Sequence, residues 1–228
     1  MTQTGRVAET DAAAADAVGF VLAGGRSSRM GSDKSLAPLA GRPLLSYALA
    51  TLRQAGLAAS IAGSRSPLGA FAPVVEDSGE GRGPLGGICA ALASMSGQRA
   101  VFVPVDLPLL PASLLAFLLH HARITGGAVT LASVNGFAQT FPAVIERAVL
   151  PQLESELDAG RGGCFAAFQS AATQMGRRVD VVPVEMLVQC GQIAHPDGLP
   201  AVRWFLNVNA PEDLRRAQAH LNTVHQVI

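Results

Sequence analysis

The sequence predicts one α/β domain, Rossmann-like, with a mostly parallel central sheet and helices on both faces. Three observations lead there. Between residues 18 and 123, short apolar runs alternate repeatedly with stretches of helical periodicity, the rhythm of right-handed β-α crossover units. The runs are continuously apolar rather than alternating, as expected of strands covered on both faces. No internal repeat, coiled-coil heptad or long linker divides the 228 residues, a length one domain accommodates.

Each element has its own signal. Residues 18–23 (VGFVLA) form an apolar run that ends at glycines and read as the first strand. Residues 43–55 place Leu44, Leu45, Ala48, Leu49 and Leu52 on one helical face and stop at Gly56. Residues 73–76 are a short strand ahead of a polar turn, and residues 83–95 a helix with Pro84 near its start. Residues 100–105 make the next strand, and residues 111–123 a helix with Leu114, Leu115, Leu118 and Leu119 inward. Further on, strands are expected at 127–134, 139–145 and 179–184, with helices near 147–157 and 163–172. Residues 205–209 are expected as a last short strand leading into a helix at 211–221. That helix has Pro211 in its first turn, Glu212 and Asp213 where the dipole favours acids, and Leu214, Ala217 and Leu221 inward. Residues 1–17 read as a flexible tail and residues 18–228 as the domain. The tail lacks a basic stretch followed by an apolar one, so it does not read as a secretory signal.

Composition excludes several classes. At 49% hydrophobic and 15% charged residues, the chain is neither disordered nor collagen-like. Seventeen basic residues balance 17 acidic ones, which gives no reason to expect a nucleic-acid or anionic-membrane partner. The mean hydropathy of +0.32 raises the possibility of a membrane protein. The most apolar stretch, residues 100–119, is however broken by Asp106 and by prolines at 104, 108 and 111. No run reaches the roughly 20 clean apolar residues of a spanning helix. Cys89, Cys164 and Cys190 form no C-x-x-C pair. They are read as buried free thiols in a reducing compartment, hence a cytoplasmic location.

In open α/β sheets, ligands sit beyond the carboxyl ends of the strands, and three strand ends here are rich in chemistry. Residues 22–34 follow the first strand with three glycines, three serines, two arginines and a lysine. Backbone N–H groups in such a turn form an anion nest. The spacing fits neither G-x-x-x-x-G-K-[ST] nor G-x-G-x-x-G. Lys34 is the only lysine among 17 basic residues, and an ammonium, unlike a guanidinium, is a compact rotatable point charge suited to phosphate oxygens. At the second strand end, Asp106 lies between Pro104 and Pro108. It suits a hard cation such as Mg²⁺ carrying substrate phosphates, or else caps the helix that follows. At the third, Glu76 and Asp77 precede a glycine-rich helix start, placed to accept hydrogen bonds from a nucleobase or ribose or to form a plain turn. His120 and His121 are adjacent and share no helix face. Serine-hydrolase and zincin motifs do not occur, and Trp204 and Phe205 read as core.

Taken together, residues 22–34 resemble the signature L-A-G-G-x-S-x-R-M-G-x-D-K of the molybdenum cofactor guanylyltransferases, within the wider nucleotidyltransferase group. Gly41-Arg42-Pro43-Leu44, Glu76-Asp77, residues 83–88 (GPLGGI), Asp106-Leu107-Pro108 and residues 207–214 (NVNAPEDL) follow in matching order. The resemblance covers residues 18–125 and 205–221. It implies transfer of GMP from GTP to the terminal phosphate of molybdopterin with release of pyrophosphate. It also implies Mg²⁺ as cofactor, GTP and molybdopterin as substrates, transient contact with molybdenum cofactor biosynthesis proteins, and no nucleic-acid or membrane partner.

Carried over by motif, Leu22, Ala23, Gly24 and Gly25 bind the nucleotide through backbone groups. Lys34 meets the phosphates, Arg29 helps hold the triphosphate, and Asp77 contacts the guanosine. Asp106 binds Mg²⁺ together with nucleotide oxygens, so Lys34, Arg29 and Asp106 form the catalytic set. Asn207 and Asn209 face the pterin or the reacting phosphates, or else Asn209 caps the helix at Pro211.

L-A-G-G in place of the L-A-A-G of cytidylyltransferase relatives leaves room for a purine. Asn209, where many relatives place an aspartate, argues against a strong second metal site. The chain departs from the family at Ala62, where an asparagine is common, at Gln139-Thr140-Phe141-Pro142, and over residues 160–200, which have no match. Three readings stay open at this point. They are the guanylyltransferase, a related cytidylyl- or sugar-phosphate nucleotidyltransferase, and a nucleotide-binding module without turnover.

Overall fold

The apolar run after the N-terminal stretch forms strand β1 at Ala17–Leu22, one residue earlier than expected. Asp16 joins it, its carbonyl accepting from the Gln98 and Arg99 N–H groups. The computed structural model describes residues 16–23, 33–76, 82–160 and 163–225. After a one-turn 3-10 helix at Lys34–Leu36 come a tight antiparallel pair, Pro38–Leu39 (β2) and Arg42–Pro43 (β3), and the helix Leu44–Gln54 (α1). Ala58–Ala62 (β4), Arg65–Leu68 (α2), Val74–Val75 (β5) and Gly83–Ser94 (α3) follow. Arg99–Pro104 (β6) leads into Ala112–Thr125 (α4). Val129–Val134 (β7) and Phe137–Glu146 (β8) form a hairpin through Asn135 and Gly136, at φ 52° and 77°. Asn-Gly is the dipeptide that takes two successive positive φ angles most easily. The chain ends with Leu150–Asp158 (α5), Cys164–Gln174 (α6), Val179–Pro183 (β9), Val184–Gln189 (α7), Ala201–Trp204 (α8) and Pro211–His225 (α9).

Seven strands form one sheet in the order β5-β4-β1-β6-β8-β7-β9. β1 runs parallel to both β4 and β6, β4 parallel to β5 and β7 parallel to β9; only β8 is antiparallel to its neighbours. The mostly parallel Rossmann-like sheet is therefore present. Its strands divide their side chains between two cores by strict alternation. Val21, Val101, Val103 and Val144 pack with Leu44, Leu49 and Leu115 on one face. Phe20, Leu22, Phe102 and Ile145 pack with Ile88, Leu153 and Phe168 on the other. Gly19 lets α1 approach β1 closely: a Cβ there would lie 2.7 Å from Leu52 Cδ2. Among the described residues no helix is long and apolar enough to cross a membrane.

Several expectations need correction. β4 carries no strong apolar run, because Ala58, Ala59, Ser60 and Ala62 are small, yet it pairs on both sides. Residues 205–209 form no strand. One backbone bond, from Val208 N–H to the Asp106 carbonyl at 2.9 Å, holds that segment instead of a ladder. Trp204 and Phe205 are core, at 1% and 9% exposure. Of the cysteines expected to be buried, only Cys89 is; Cys164 is half-buried, and Cys190 is exposed just past the end of α7. Burial pushes the Cys164 thiol up to about 11, so it is an inert packing group.

His195 braces the segment after β6. Its Nδ1 accepts from the Asp197 N–H at 3.1 Å, its ring lies 6.2 Å from that of Trp204, and the imidazole hydrogen-bonds the Leu109 backbone. Burial pulls its pKa below 6.5, outweighing Asp197 and the Leu109 bond, which act in the opposite sense. The folded imidazole is thus neutral where the unfolded one begins to bind a proton. This stability is present above the unfolded value and lost as pH falls through the lowered folded one. Thermal unfolding followed between about pH 5 and 7.5 should show stability falling on acidification, and less steeply in His195→Gln. An unchanged slope in that variant rules His195 out as the cause.

Candidate functional site

The site assembles where the strand order reverses. From β1 the chain moves to one side, through β4 to β5, and returns on the other side as β6. The carboxyl ends of β4, β1 and β6 therefore lie side by side, the edge at which open α/β sheets bind ligands. Leu22 stands opposite both Ala62 and Pro104. Its carbonyl accepts from the Val105 N–H at 3.2 Å, and the Ala23 N–H donates to the Ala62 carbonyl at 3.0 Å. These backbone bonds align the strand ends.

Lys34 is held by a local device. The Asp33 carboxylate accepts from the Ser35 N–H at 2.9 Å, capping the 3-10 turn, and the Ala37 N–H bonds the Lys34 carbonyl at 3.1 Å. Ser35 beneath it is 2% exposed. Asp106 lies two residues past β6, between Val105 and Leu107, both buried. Its alternation with these neighbours leaves the carboxylate part-exposed while they anchor in the core.

Asn209 comes from the far end of the chain. Val208 is fully buried, while Asn207 and Asn209 on either side of it are exposed. The Asp213 carboxylate Oδ2 accepts from both the Asn209 N–H at 3.0 Å and the Ala210 N–H at 2.9 Å. An N3 acid reaching back to its helix N-cap is half of a capping box.

The three segments meet on one ammonium. Lys34 Nζ donates to Asp106 Oδ2 at 2.9 Å and to Asn209 Oδ1 at 2.5 Å. The Lys34 and Asp106 side chains are 14% and 23% exposed, so the pair is partly desolvated and still open to a ligand. The Asn209 side chain thus serves Lys34 rather than the helix cap, and Asp213 does the capping. The acid at the third helical position, read from sequence only as a dipole partner, already carried the capping-box signal. The Asp33 cap was legible in the same way and likewise missed.

Of the other expected site residues, Leu22 and Ala23 stand at the carboxyl end of β1, with the Ala23 N–H taken by the Ala62 carbonyl. Asn207 lies on the Asn209 segment, next to the cluster. Gly24, Gly25, Arg29 and Asp77 lie outside the described residues. Ala62, where the family commonly has an asparagine, is 2% exposed and packs in the core with Leu22. A groove of about 460 Å³ beside Gln98, Glu146 and Arg147 opens at the amino end of β6, away from this cluster.

The donor set is hard and sparse: one carboxylate and one amide oxygen. Among the described residues no group of three or more His, Cys, Asp or Glu forms a metal cluster. A cation held here needs oxygens from its ligand and from water, the habit of Mg²⁺ on a nucleotide rather than of a structural metal. Asp213→Ala should cost about 1 kcal/mol of stability by orphaning two N–H groups, and Asp213→Asn, which keeps an acceptor oxygen, less. Thermal unfolding measures both, and a neutral Asp213→Ala would remove the capping role.

Known proteins share this chain's sequence pattern and fold. Residues 19–175 match the family of MobA-like NTP transferase domains. A molybdenum cofactor guanylyltransferase from Xanthomonas euvesicatoria pv. vesicatoria (strain 85-10) is 50% identical over 107 residues, covering 46% of this chain and about half, 54%, of that protein. One from Vibrio atlanticus (strain LGP32) is 32% identical over 198 residues, covering 85% of this chain and 91% of that protein. The crystal structure of molybdopterin-guanine dinucleotide biosynthesis protein A from Archaeoglobus fulgidus shares the fold with a TM-score of 0.71. It is 20% identical and covers 90% of this chain and 98% of that one. A family match over residues 19–175 and a relative 32% identical over 85% of this chain converge: the chain belongs to the MobA-like NTP transferase family.

Proposed function

We propose that this nucleotidyltransferase transfers GMP from GTP to the terminal phosphate of molybdopterin. An oxygen of the acceptor phosphate attacks the α-phosphorus of GTP in line. A new P–O bond forms as the α–β bridging bond breaks, and pyrophosphate leaves with that electron pair. Such a transfer asks the protein for alignment and charge neutralisation rather than covalent chemistry. The observation that carries the reading is the meeting of Lys34, Asp106 and Asn209 at the strand reversal.

In this reading Lys34 moves onto the phosphates of the bound nucleotide and neutralises charge that grows at the pentacoordinate phosphorus. Asp106, with Asn209 beside it, holds the Mg²⁺ that accompanies the triphosphate. That cation supplies further charge neutralisation. Gly24 and Gly25 cradle the phosphates, Arg29 holds the triphosphate, Asp77 reads the guanosine, and Asn207 faces the acceptor, all by motif. The missing methyl in Leu22-Ala23-Gly24-Gly25 supports a purine over a pyrimidine. The balance of 17 basic and 17 acidic residues supports small-molecule partners over nucleic acid, apart from transient contact with other molybdenum cofactor biosynthesis proteins. Three cysteines without a disulfide among them support a reducing, cytoplasmic setting.

Calorimetric titration with GTP and with CTP, Mg²⁺ present throughout, should show binding of GTP alone, followed by pyrophosphate release once molybdopterin is added. Binding of CTP alone transfers the assignment to a cytidylyltransferase. Binding of GTP with turnover on a sugar phosphate but not on molybdopterin refutes the acceptor. Lys34→Ala should lower turnover by about 10²-fold or more, the scale of one lost transition-state charge partner. Unchanged turnover removes Lys34 from the mechanism.

A further inference from the structure

We infer that Lys34 is a built-in stand-in for the divalent cation. In the nucleotide-free protein its ammonium occupies the seat between Asp106 and Asn209, and it yields that seat only when a cation binds with nucleotide. The inference rests on the reading of Asp106 as the cation's ligand.

The geometry comes first. Lys34 Nζ lies 2.9 Å from Asp106 Oδ2 and 2.5 Å from Asn209 Oδ1, oxygens supplied by segments 72 and 175 residues away. A carboxylate and an amide oxygen converging on one positive centre are the donors a hard cation takes. Mg²⁺ would approach the same Asp106 oxygen to about 2.0–2.1 Å, inside the space the ammonium fills. The two cations therefore compete for one oxygen.

The chemistry of the side chain fits the role. A guanidinium spreads its charge over a planar fork and favours bidentate pairing with a single carboxylate. An ammonium is a compact point charge with three rotatable donors on a flexible stem. It can bridge two separate oxygens as a metal ion would, and then swing away. Sixteen of the 17 basic residues are arginine, and this position alone holds lysine.

The seat itself is braced without any metal. The Asp106 carbonyl is tied to the Val208 N–H at 2.9 Å, Asp213 holds the Asn209 and Ala210 N–H groups, and Asp33 caps the turn beneath Lys34. What the ammonium supplies is charge. A carboxylate only 23% exposed is costly to leave without a counter-ion, and Lys34 fills that need while nucleotide is absent. Two consequences follow. The free protein binds a bare divalent cation weakly, and cation and nucleotide bind with positive coupling, because the nucleotide's phosphates give the displaced ammonium a new partner.

Mn²⁺ alone, titrated into the nucleotide-free protein and followed by electron paramagnetic resonance, tests the inference. Lys34→Met should bind Mn²⁺ about tenfold more tightly than the unaltered protein, the scale of one charge-assisted hydrogen bond no longer broken. Adding Asp106→Asn to that variant should abolish the gain. Thermal unfolding checks that Lys34→Met is folded, and Lys34→Gln replaces it if not. Equal Mn²⁺ affinity with and without Lys34 overturns the inference, as does a gain that survives Asp106→Asn or the absence of Mn²⁺ binding in every variant. GTP binding by the unaltered protein is scored separately. Retained GTP binding with equal Mn²⁺ affinities refutes the stand-in and spares the proposed function. A tightened Lys34→Met without GTP binding by the unaltered protein does the reverse.

Discussion

The parallel pairing of β1 with strands on both of its sides is the constraint from which the rest of the architecture follows. Five of its residues pair with β4 on one side and six with β6 on the other, in registers that end together at Leu22, Ala62 and Pro104. Parallel neighbours need crossovers, and crossovers place helices over both faces. The sheet is therefore doubly covered, and the strands can be apolar at every position. Because the chain leaves β1 in one direction and returns on the other side, the carboxyl ends of β4, β1 and β6 come side by side. Where the site lies is a result of connectivity before any side chain is considered.

At these strand ends, polar chemistry is positioned by apolar anchoring. Asp106 is held between buried Val105 and Leu107, and Asn209 stands beside fully buried Val208. In both places a single residue is left at the surface by neighbours that cannot leave the core. Asp33 and Asp213 then satisfy backbone donors that the turns at Lys34 and Pro211 would otherwise orphan. The acids that build the site thus divide into one that holds the Lys34 ammonium and two that hold the backbone. Composition cannot distinguish them, since all three follow or precede a turn.

Residues 129–189 widen the sheet, and only the far end of the chain returns to the site, through Asn209. β8 enters antiparallel beside β6, β7 returns through the Asn135-Gly136 turn, and β9 closes the edge. Residues 160–200, which carry no motif of the resemblance although the family match runs on to residue 175, supply α6, β9 and α7. They also supply His195, whose neutral imidazole supports the Leu109 backbone just beyond Asp106. That stretch therefore reaches the site indirectly, by bracing the segment that carries the carboxylate.

Much of this was legible in residues alone. Continuous apolar runs identified β1 and β6, leucine spacing identified α1 and α4, and the long motif over residues 22–34 pointed to phosphate chemistry and to Lys34. Burial is written locally in such patterns, because strand and helix periods decide which side chains can share a face. What only the tertiary structure decided is which distant groups share a charge. β4 is too small-residued to announce itself, and residues 205–209 look like a strand but carry one bond to Asp106 instead of a ladder. Asn209 could be read as facing the substrate or as a helix cap until Asp213 was seen to hold those amides and Lys34 to hold the Asn209 side chain. These assignments depend on contacts between segments 72 and 175 residues apart. A hydrogen bond leaves no period in the sequence, so only the folded chain can say which of several polar residues at a turn meets the Lys34 ammonium.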